Sequence, residues 1–308
     1  MKKQAVRKRE SRPTPAAAPV LNEEQLAVFI LTHKRPDRVF TTASLKRHGW
    51  TGPVYYIVDD EDPTVDEYRK NFGEDKVIMF SKEEEEKTMD LFDNHTGNRG
   101  TITYVRNAAF HIAEKLGYRY FIQLDDDYAF FALTRDTRGR FHRKPIRNLD
   151  EVLHTLLDYY KSLPPHVLSL AMAQGGDFLG GSQGSMAKNL KMRRKAMNSF
   201  ICDVKRPFKF RGRMNEDVNT YVSLQARGFV FFTTPLCHLT QHATQSNAGG
   251  ITELYKAFGT YAKSMYTVMS NPSCVKVGVM GSRFPRIHHQ INWRYAAPKI
   301  ISPDYRKE

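Results

Sequence analysis

The chain of 308 residues carries 47 Lys and Arg against 33 Asp and Glu, a formal net charge of +14, with 41% hydrophobic residues. This excludes the disordered, collagenous and membrane-embedded classes, because there is enough apolar material for a core and no apolar run nears the roughly 20 residues of a membrane span. Three scattered cysteines (Cys202, Cys237, Cys274) argue against a disulfide framework, so a soluble, cytoplasmic protein is expected.

Residues 1–22, rich in Lys, Arg, Pro and Ala without apolar periodicity, read as a basic disordered tail with no secretory core. From Leu26 short β-rich runs alternate with helical ones. "LAVFILT" is a buried strand, and "PDRVFTTASLKRHG" a helix with Pro36 near its start and Gly49 as its stop. "PVYYIVDD" and "KVIMF" are the next strands. In "TITYVRNAAFHIAEKLG", Val105, Ala108, Ala109, Ile112, Ala113 and Leu116 share one helical stripe that stops at Gly117. "YRYFIQL" follows as a strand. Alternating strands and helices imply a Rossmann-like α/β half with parallel pairing. Beyond residue 150 the order loosens into a helix at "LDEVLHTLLDYYKSL", strands at "VLSLAMA", "NSFICDV" and "FVFFTT", and a helix at "EDVNTYVSLQARG". "RFPRIHHQINWRY" has no clear assignment. The expected organisation is the tail, a catalytic domain over 23–270, and a C-terminal extension over 271–308 packed on it.

The basic excess is clustered in "RDTRGRFHRKPIR", "KNLKMRRK" and "KRPFKFRGR". Phe208 and Phe210 interleave the last of these, as on surfaces that track nucleic acid. A polyanionic partner is therefore expected, with Arg193, Arg194, Lys195, Arg211 and Arg213 as backbone contacts. Solvated loops are the alternative.

"FIQLDDDYAFF" drives an apolar run into Asp125, Asp126 and Asp127. Ligands of open α/β sheets bind beyond the carboxyl ends of the strands, which is where this triplet falls. In extended backbone Asp125 and Asp127 project to the same side, and a hard divalent cation held between them would relieve their repulsion. Mg2+ or Mn2+ would in turn neutralise phosphates, so a nucleotide substrate is the natural partner. Asp59 and Asp60 end another strand, and Thr32, His33 and Arg35 follow the first. All could line the same crevice. The glycines of "GGDFLGG", Gly175 and Gly176, would allow close backbone approach, with Asp177 on acceptor or sugar hydroxyls. Gln245 and Asn247 in "TQSNAGG" offer further hydrogen bonds.

"TYVRNAAFHIAEKLGYRYFIQLDDD" resembles the segment around the Asp-x-Asp motif of GT-A glycosyltransferases, and "MNEDVNTYVSLQARGF" their Glu-Asp helix signature. "FILTHKRPDR", "LDDDY" and "HLTQHATQSNAGGITELY" more particularly resemble the TET-associated glycosyltransferases, a group with phage and base J enzymes. That resemblance implies a GT-A fold with a mixed central sheet and an acceptor-binding half. It also implies transfer of a sugar, with glucose expected, from a UDP-sugar to the hydroxymethyl group of 5-hydroxymethylcytosine or 5-hydroxymethyluracil in DNA.

Carried over residue by residue, the family pattern places Asp127 on the metal and Asp125 on the metal or the donor. Asp126, Arg106 and Asn107 join the donor set. His238 is the expected third ligand, with His242 as rival. Asp217, or failing it Glu216, is the base that activates the acceptor hydroxyl, a poor nucleophile without one. The competing reading of both acids is that they complement a helix N-terminus. A protein O-glycosyltransferase, an inactive GT-A nucleic-acid-binding module and a nucleotidyltransferase are the alternative functions. Base flipping and groove access both stay open.

Overall fold

The computed structural model describes residues 20–93, 99–137, 140–178, 192–242, 259, 261–281 and 285–296. One nine-stranded sheet runs through it. Its strands are β1 (Asn22–Leu31), β2 (Val54–Asp59), β3 (Val77–Phe80), β4 (Tyr118–Asp125), β5 (Tyr128–Thr137), β6 (Arg140–Pro145), β7 (Val167–Gln174), β8 (Ser199–Asp203) and β9 (Val230–Gln241). They lie in the order β3-β2-β1-β4-β8-β7-β9-β5-β6. The first four pair in parallel, as alternation with helices requires, and β8 enters antiparallel to β4. This is the expected α/β class, a Rossmann-like half continued by a mixed sheet.

Helices α1 (Phe40–Arg47), α2 (Val65–Phe72), α3 (Lys82–Glu86), α4 (Thr103–Lys115), α5 (Leu149–Ser162), α6 (Glu216–Gln225), α7 (Ala262–Ser270) and α8 (Trp293–Ala296) cover the sheet and its ends. Along β1, Ala27, Phe29 and Leu31 face one core layer with α4 and α6, while Leu26, Val28 and Ile30 face another with α1 and α5. Burial on both faces explains why "LAVFIL" is continuously apolar. Ala108, Ala109, Ile112 and Ala113 of the α4 stripe are buried, and Gly117, at φ +80°, allows the turn into β4.

Three departures from the sequence reading matter for the site. α1 begins at Phe40, because the segment after β1 is drawn off to Asp126, to which Thr32 and Arg35 donate. β9 runs on past "FVFFTT" to Gln241, with a register shift against β7 at Pro235, a residue that cannot donate to a ladder. "RFPRIHHQINWRY" becomes strand β11 (Arg286–Ile291), paired antiparallel with β10 (Val275–Met280), and the short α8.

Candidate active site

β4 ends at Asp125, and the turn after it sends the three carboxylates to different partners. Asp126 points away from its neighbours, accepting from Thr32 Oγ1 at 2.8 Å and Arg35 Nη1 at 3.2 Å. Tyr68 braces this arrangement, its hydroxyl 2.8 Å from Thr32 Oγ1 and accepting from the Arg35 N–H at 2.8 Å. Asp125 and Asp127 converge as their spacing predicts, since Gln241 Nε2 lies 3.4 Å from Asp125 Oδ2 and 3.1 Å from Asp127 Oδ1.

Arg106 is the hub of the site. It reaches from α4 to Asp125 Oδ1 through Nη2 at 3.0 Å and to Glu216 Oε1 through Nε at 3.0 Å. Its guanidinium lies against the rings of Phe200 and Phe210 and is 1% exposed. Burial opposes its charge, but the two carboxylates outweigh burial and hold it protonated. Asn107 exchanges hydrogen bonds with the Phe210 backbone, donating at 3.1 Å and accepting at 2.8 Å. The Arg-Asn pair, expected to touch the donor, instead fastens α4 to the end of β4 and to the segment before α6.

Burial pushes the Asp125 carboxyl up to about 7, against the pull of Arg106 and with repulsion from Asp127 and Glu216 adding to it. Asp127 is raised by burial and by Asp126. Two hard oxygen donors that face the same Gln241 amide fit Mg2+ or Mn2+. Among the described residues no three His, Cys, Asp or Glu side chains are grouped as metal ligands. Asp125 and Asp127 are the residues that would hold the cation.

His238 does not join them. It leaves β9 three residues before Gln241, hence from the opposite face. There it packs on Phe178 with ring centroids 5.1 Å apart and is 1% exposed. Among the described residues neither ring nitrogen has a hydrogen-bond partner, and burial together with Arg143 pushes the imidazole down to about 4. The rival His242 stands beside the aspartates, its N–H donating to Asp127 O at 3.0 Å and its ring 4.5 Å from that of Phe40.

At the end of β2, Asp59 is buried between His33 Nδ1 at 2.6 Å and Lys82 Nζ at 2.8 Å. Burial raises its carboxyl, and the hydrogen bonds from His33 and Lys82 outweigh that and lower it. Asp60 is exposed and accepts from the Lys82 N–H at 3.0 Å.

Glu216 and Asp217 open α6 and are both buried. Arg106 pairs with Glu216, whereas Asp217, among the described residues, accepts only the N–H of Val218, at 2.8 Å. Burial and the charge of Glu216 raise Asp217 to about 7. Asp177 lies on the same side, since it and Asp217 both raise the buried Tyr221 phenol. It is ion-paired with Lys195 and caps the Gln174 N–H at 2.9 Å. Gly175 and Gly176 are exposed, and a Cβ added at either would meet no heavy atom within 4 Å. Neither has the positive φ that would demand glycine. Gln245 and Asn247 lie outside the described residues.

In the third basic cluster the two aromatic rings and Arg213 are spent inside the fold. Phe208 and Phe210 are buried, ring against ring with Phe110, Phe200 and Phe231. Arg213 is 1% exposed and grips Asp93 with Nε at 2.8 Å and Nη2 at 3.1 Å. Arg211 pairs with Asp90 at 2.6 Å, and Lys205 with Glu23 at 2.6 Å. These charges are taken up by acids remote in sequence. Arg193 and Arg194 are half-buried, and Lys195 belongs to Asp177. On the β5–β6 edge Arg135, Arg143, Lys144 and Arg147 are exposed.

Gln241 is a site residue that the sequence does not announce. It is a lone amide, on a strand whose apolar pattern stops at "FVFFTT". No described helix is long and apolar enough to cross a membrane.

Solved structures similar to this chain include a mannosyltransferase from Pyrobaculum calidifontis in complex with GDP-mannose and Mn2+, at 10% identity and TM-score 0.44, covering 84% of this chain and 77% of that one. A glucosyl-3-phosphoglycerate synthase from Mycobacterium tuberculosis in complex with Mg2+ and UDP is 7% identical with TM-score 0.42, covering 87% and 88%. Both likenesses are distant. No curated protein matches the chain. The model of the TET-Associated Glycosyltransferase family matches residues 26–250, from within β1 to beyond Gln241. The chain belongs to that family, and is a nucleotide-sugar glycosyltransferase.

Proposed function

We propose that the protein moves a hexose, glucose in the first instance, from a UDP-sugar to the hydroxymethyl group of a 5-hydroxymethylpyrimidine in DNA. The observation that carries the chemistry is the division of labour around Arg106. One guanidinium secures Asp125 at one end and Glu216 at the other, and among the described residues Asp217 beside them has no ion pair.

A hydroxymethyl oxygen must lose its proton as it attacks the anomeric carbon. Asp217, raised to about 7 by burial and by Glu216, is matched to that task near neutral pH. Asp125 and Asp127 would hold Mn2+ or Mg2+, whose charge offsets that developing on the departing UDP. Asp59, set by His33 and Lys82 at the end of β2, would read nucleoside hydroxyl or base N–H groups. Arg35 and Thr32 fix Asp126 and so the backbone that aims the other two aspartates. DNA as acceptor is supported by the family and by the net charge of +14.

The test is UDP release in Mn2+ with a panel of UDP-sugars and two oligonucleotides of one sequence, one hydroxymethylated and one not. Release that depends on the hydroxymethyl group supports the reading. Release stimulated only by Ser- or Thr-containing proteins would replace DNA with a protein acceptor.

A further inference from the structure

Residues beyond the family match form a second basic surface, and it is built differently from the cluster at 205–213. From Tyr255 to Pro303 the sequence has no Asp or Glu, while it carries Lys263, Lys276, Arg286 and Arg294 among its basic residues. Lys276, Arg286 and Arg294 are exposed, and among the described residues none of the three forms an ion pair. By strand alternation Lys276, His288 and Arg286 share one face of the β10–β11 ribbon. At its root a concavity of about 510 Å³ is lined by Lys276, Gln290, Trp293 and Tyr295 among others. Trp293 and Tyr295 are 40% and 51% exposed. Cations without local acids, beside exposed aromatic rings, suit a phosphodiester strand and its bases.

The ribbon is fastened to the catalytic helix. Asn215, which immediately precedes Glu216 and Asp217, donates from Nδ2 to Lys263 O at 2.9 Å and Thr267 Oγ1 at 2.9 Å. The same nitrogen lies 3.2 Å from His289 Nδ1 on β11. Asn215 adopts φ +54°, a left-handed conformation that Asn tolerates, and spends its side chain on these contacts rather than on capping α6. Ser223 donates to Asn271 at 3.0 Å, and Trp293 stacks on Tyr221 at 6.0 Å. The ammonium of Lys263 feels both Arg286 and Asp217, which places the basic ribbon on the Asp217 side of the site.

We infer that the β10–β11 ribbon and α8 form the acceptor-strand platform, with Lys276, Arg286 and Arg294 taking backbone phosphates of the DNA whose modified base faces Asp217. The inference rests on DNA being the acceptor. A two-stranded ribbon is also an element that the B-DNA major groove admits, and the 5-substituent of a pyrimidine projects there.

The experiment compares full-length protein with the triple variant Lys276→Ala, Arg286→Ala, Arg294→Ala, measuring affinity for hydroxymethylated duplex across a salt series. Three lost phosphate contacts should flatten the log–log slope by roughly 2 to 3 units. A second variant, Arg286→Lys with Arg294→Lys, keeps the charge and should keep the slope. UDP-sugar affinity, measured on each preparation, reports whether the donor half is intact. A triple variant with intact donor binding and an unchanged slope overturns the platform while leaving DNA as acceptor. Wild-type protein with no salt-dependent DNA affinity overturns the acceptor reading itself, and the platform with it. If the triple variant loses donor binding, single Arg286→Glu replaces it. A slope flattened by at least about one unit then supports the platform, and an unchanged slope overturns it.

Discussion

Arg106 Nε donates to Glu216 Oε1 at 3.0 Å, and this bond takes up one of the two acids at the start of α6. Glu216 is committed to a buried cation, and Asp217 next to it is not. The same guanidinium holds Asp125, so the end of β4 and the start of α6 are set in register by one side chain.

Asp217→Asn preserves shape and removes a charge that burial and Glu216 disfavour, so it should leave stability near that of the wild type. Transfer should fall on the order of 100-fold or more, the scale of general base catalysis. UDP-sugar affinity should persist. Full transfer by a folded, donor-binding variant would remove Asp217 from the mechanism.

Glu216→Gln is expected to act through Arg106. Removing one partner of a buried ion pair costs about 3 to 5 kcal/mol. Denaturant unfolding should register a loss of that order, which would be absent in Asp217→Asn. Equal stability losses in the two variants would mean that Arg106 does not discriminate between the acids.

Asp127→Ala should abolish transfer and Mn2+-dependent UDP release. It should also remove the gain in unfolding temperature that Mn2+ confers on the wild type. Turnover at the wild-type rate would place the cation elsewhere.

Stability should depend on pH with a definite sign. Asp125 and Asp217 are raised from 3.8 to about 7 in the fold, so folding takes up protons between those values. Without divalent cation, the stability these two groups contribute is fully present below that window and is lost as pH rises through it. A cation bound by the ionised aspartates offsets the loss, by about 2.7 kcal/mol at a hundredfold excess over Kd. Thermal melts at pH 5 and pH 8 should therefore show a larger Mn2+ effect at pH 8. Stability that climbs from pH 5 to pH 8 without cation would contradict this.

Arg213→Ala should destabilise the protein by about 3 to 5 kcal/mol, because it leaves Asp93 without its bidentate partner. The salt dependence of DNA binding should not change. A flatter slope would return Arg213 to the nucleic-acid surface.

The aspartate triplet is legible because strand alternation is local, so "FIQLDDD" alone implies that Asp125 and Asp127 share a side and Asp126 faces away. The helix at 103–115 is legible because its apolar stripe and Gly117 are local too. What escapes is set by pairing across the chain. Arg213 resembles a phosphate contact because its partner, Asp93, lies 120 residues away. Phe208 and Phe210 resemble stacking platforms because nothing nearby announces Phe110, Phe200 and Phe231. His238 and Gln241 exchange places in effect, since the continuation of β9 past Pro235, which fixes their faces, depends on β5 and β7.

The most direct measurement is the nucleoside mass spectrum of hydroxymethylated DNA after incubation with the protein, UDP-glucose and Mn2+, followed by complete digestion. A hexose added to the 5-hydroxymethylpyrimidine nucleoside, absent with unmodified DNA and lost with Asp127→Ala and Asp217→Asn, is the predicted result. Unaltered nucleosides under conditions in which the protein binds and consumes a UDP-sugar would contradict DNA as the acceptor.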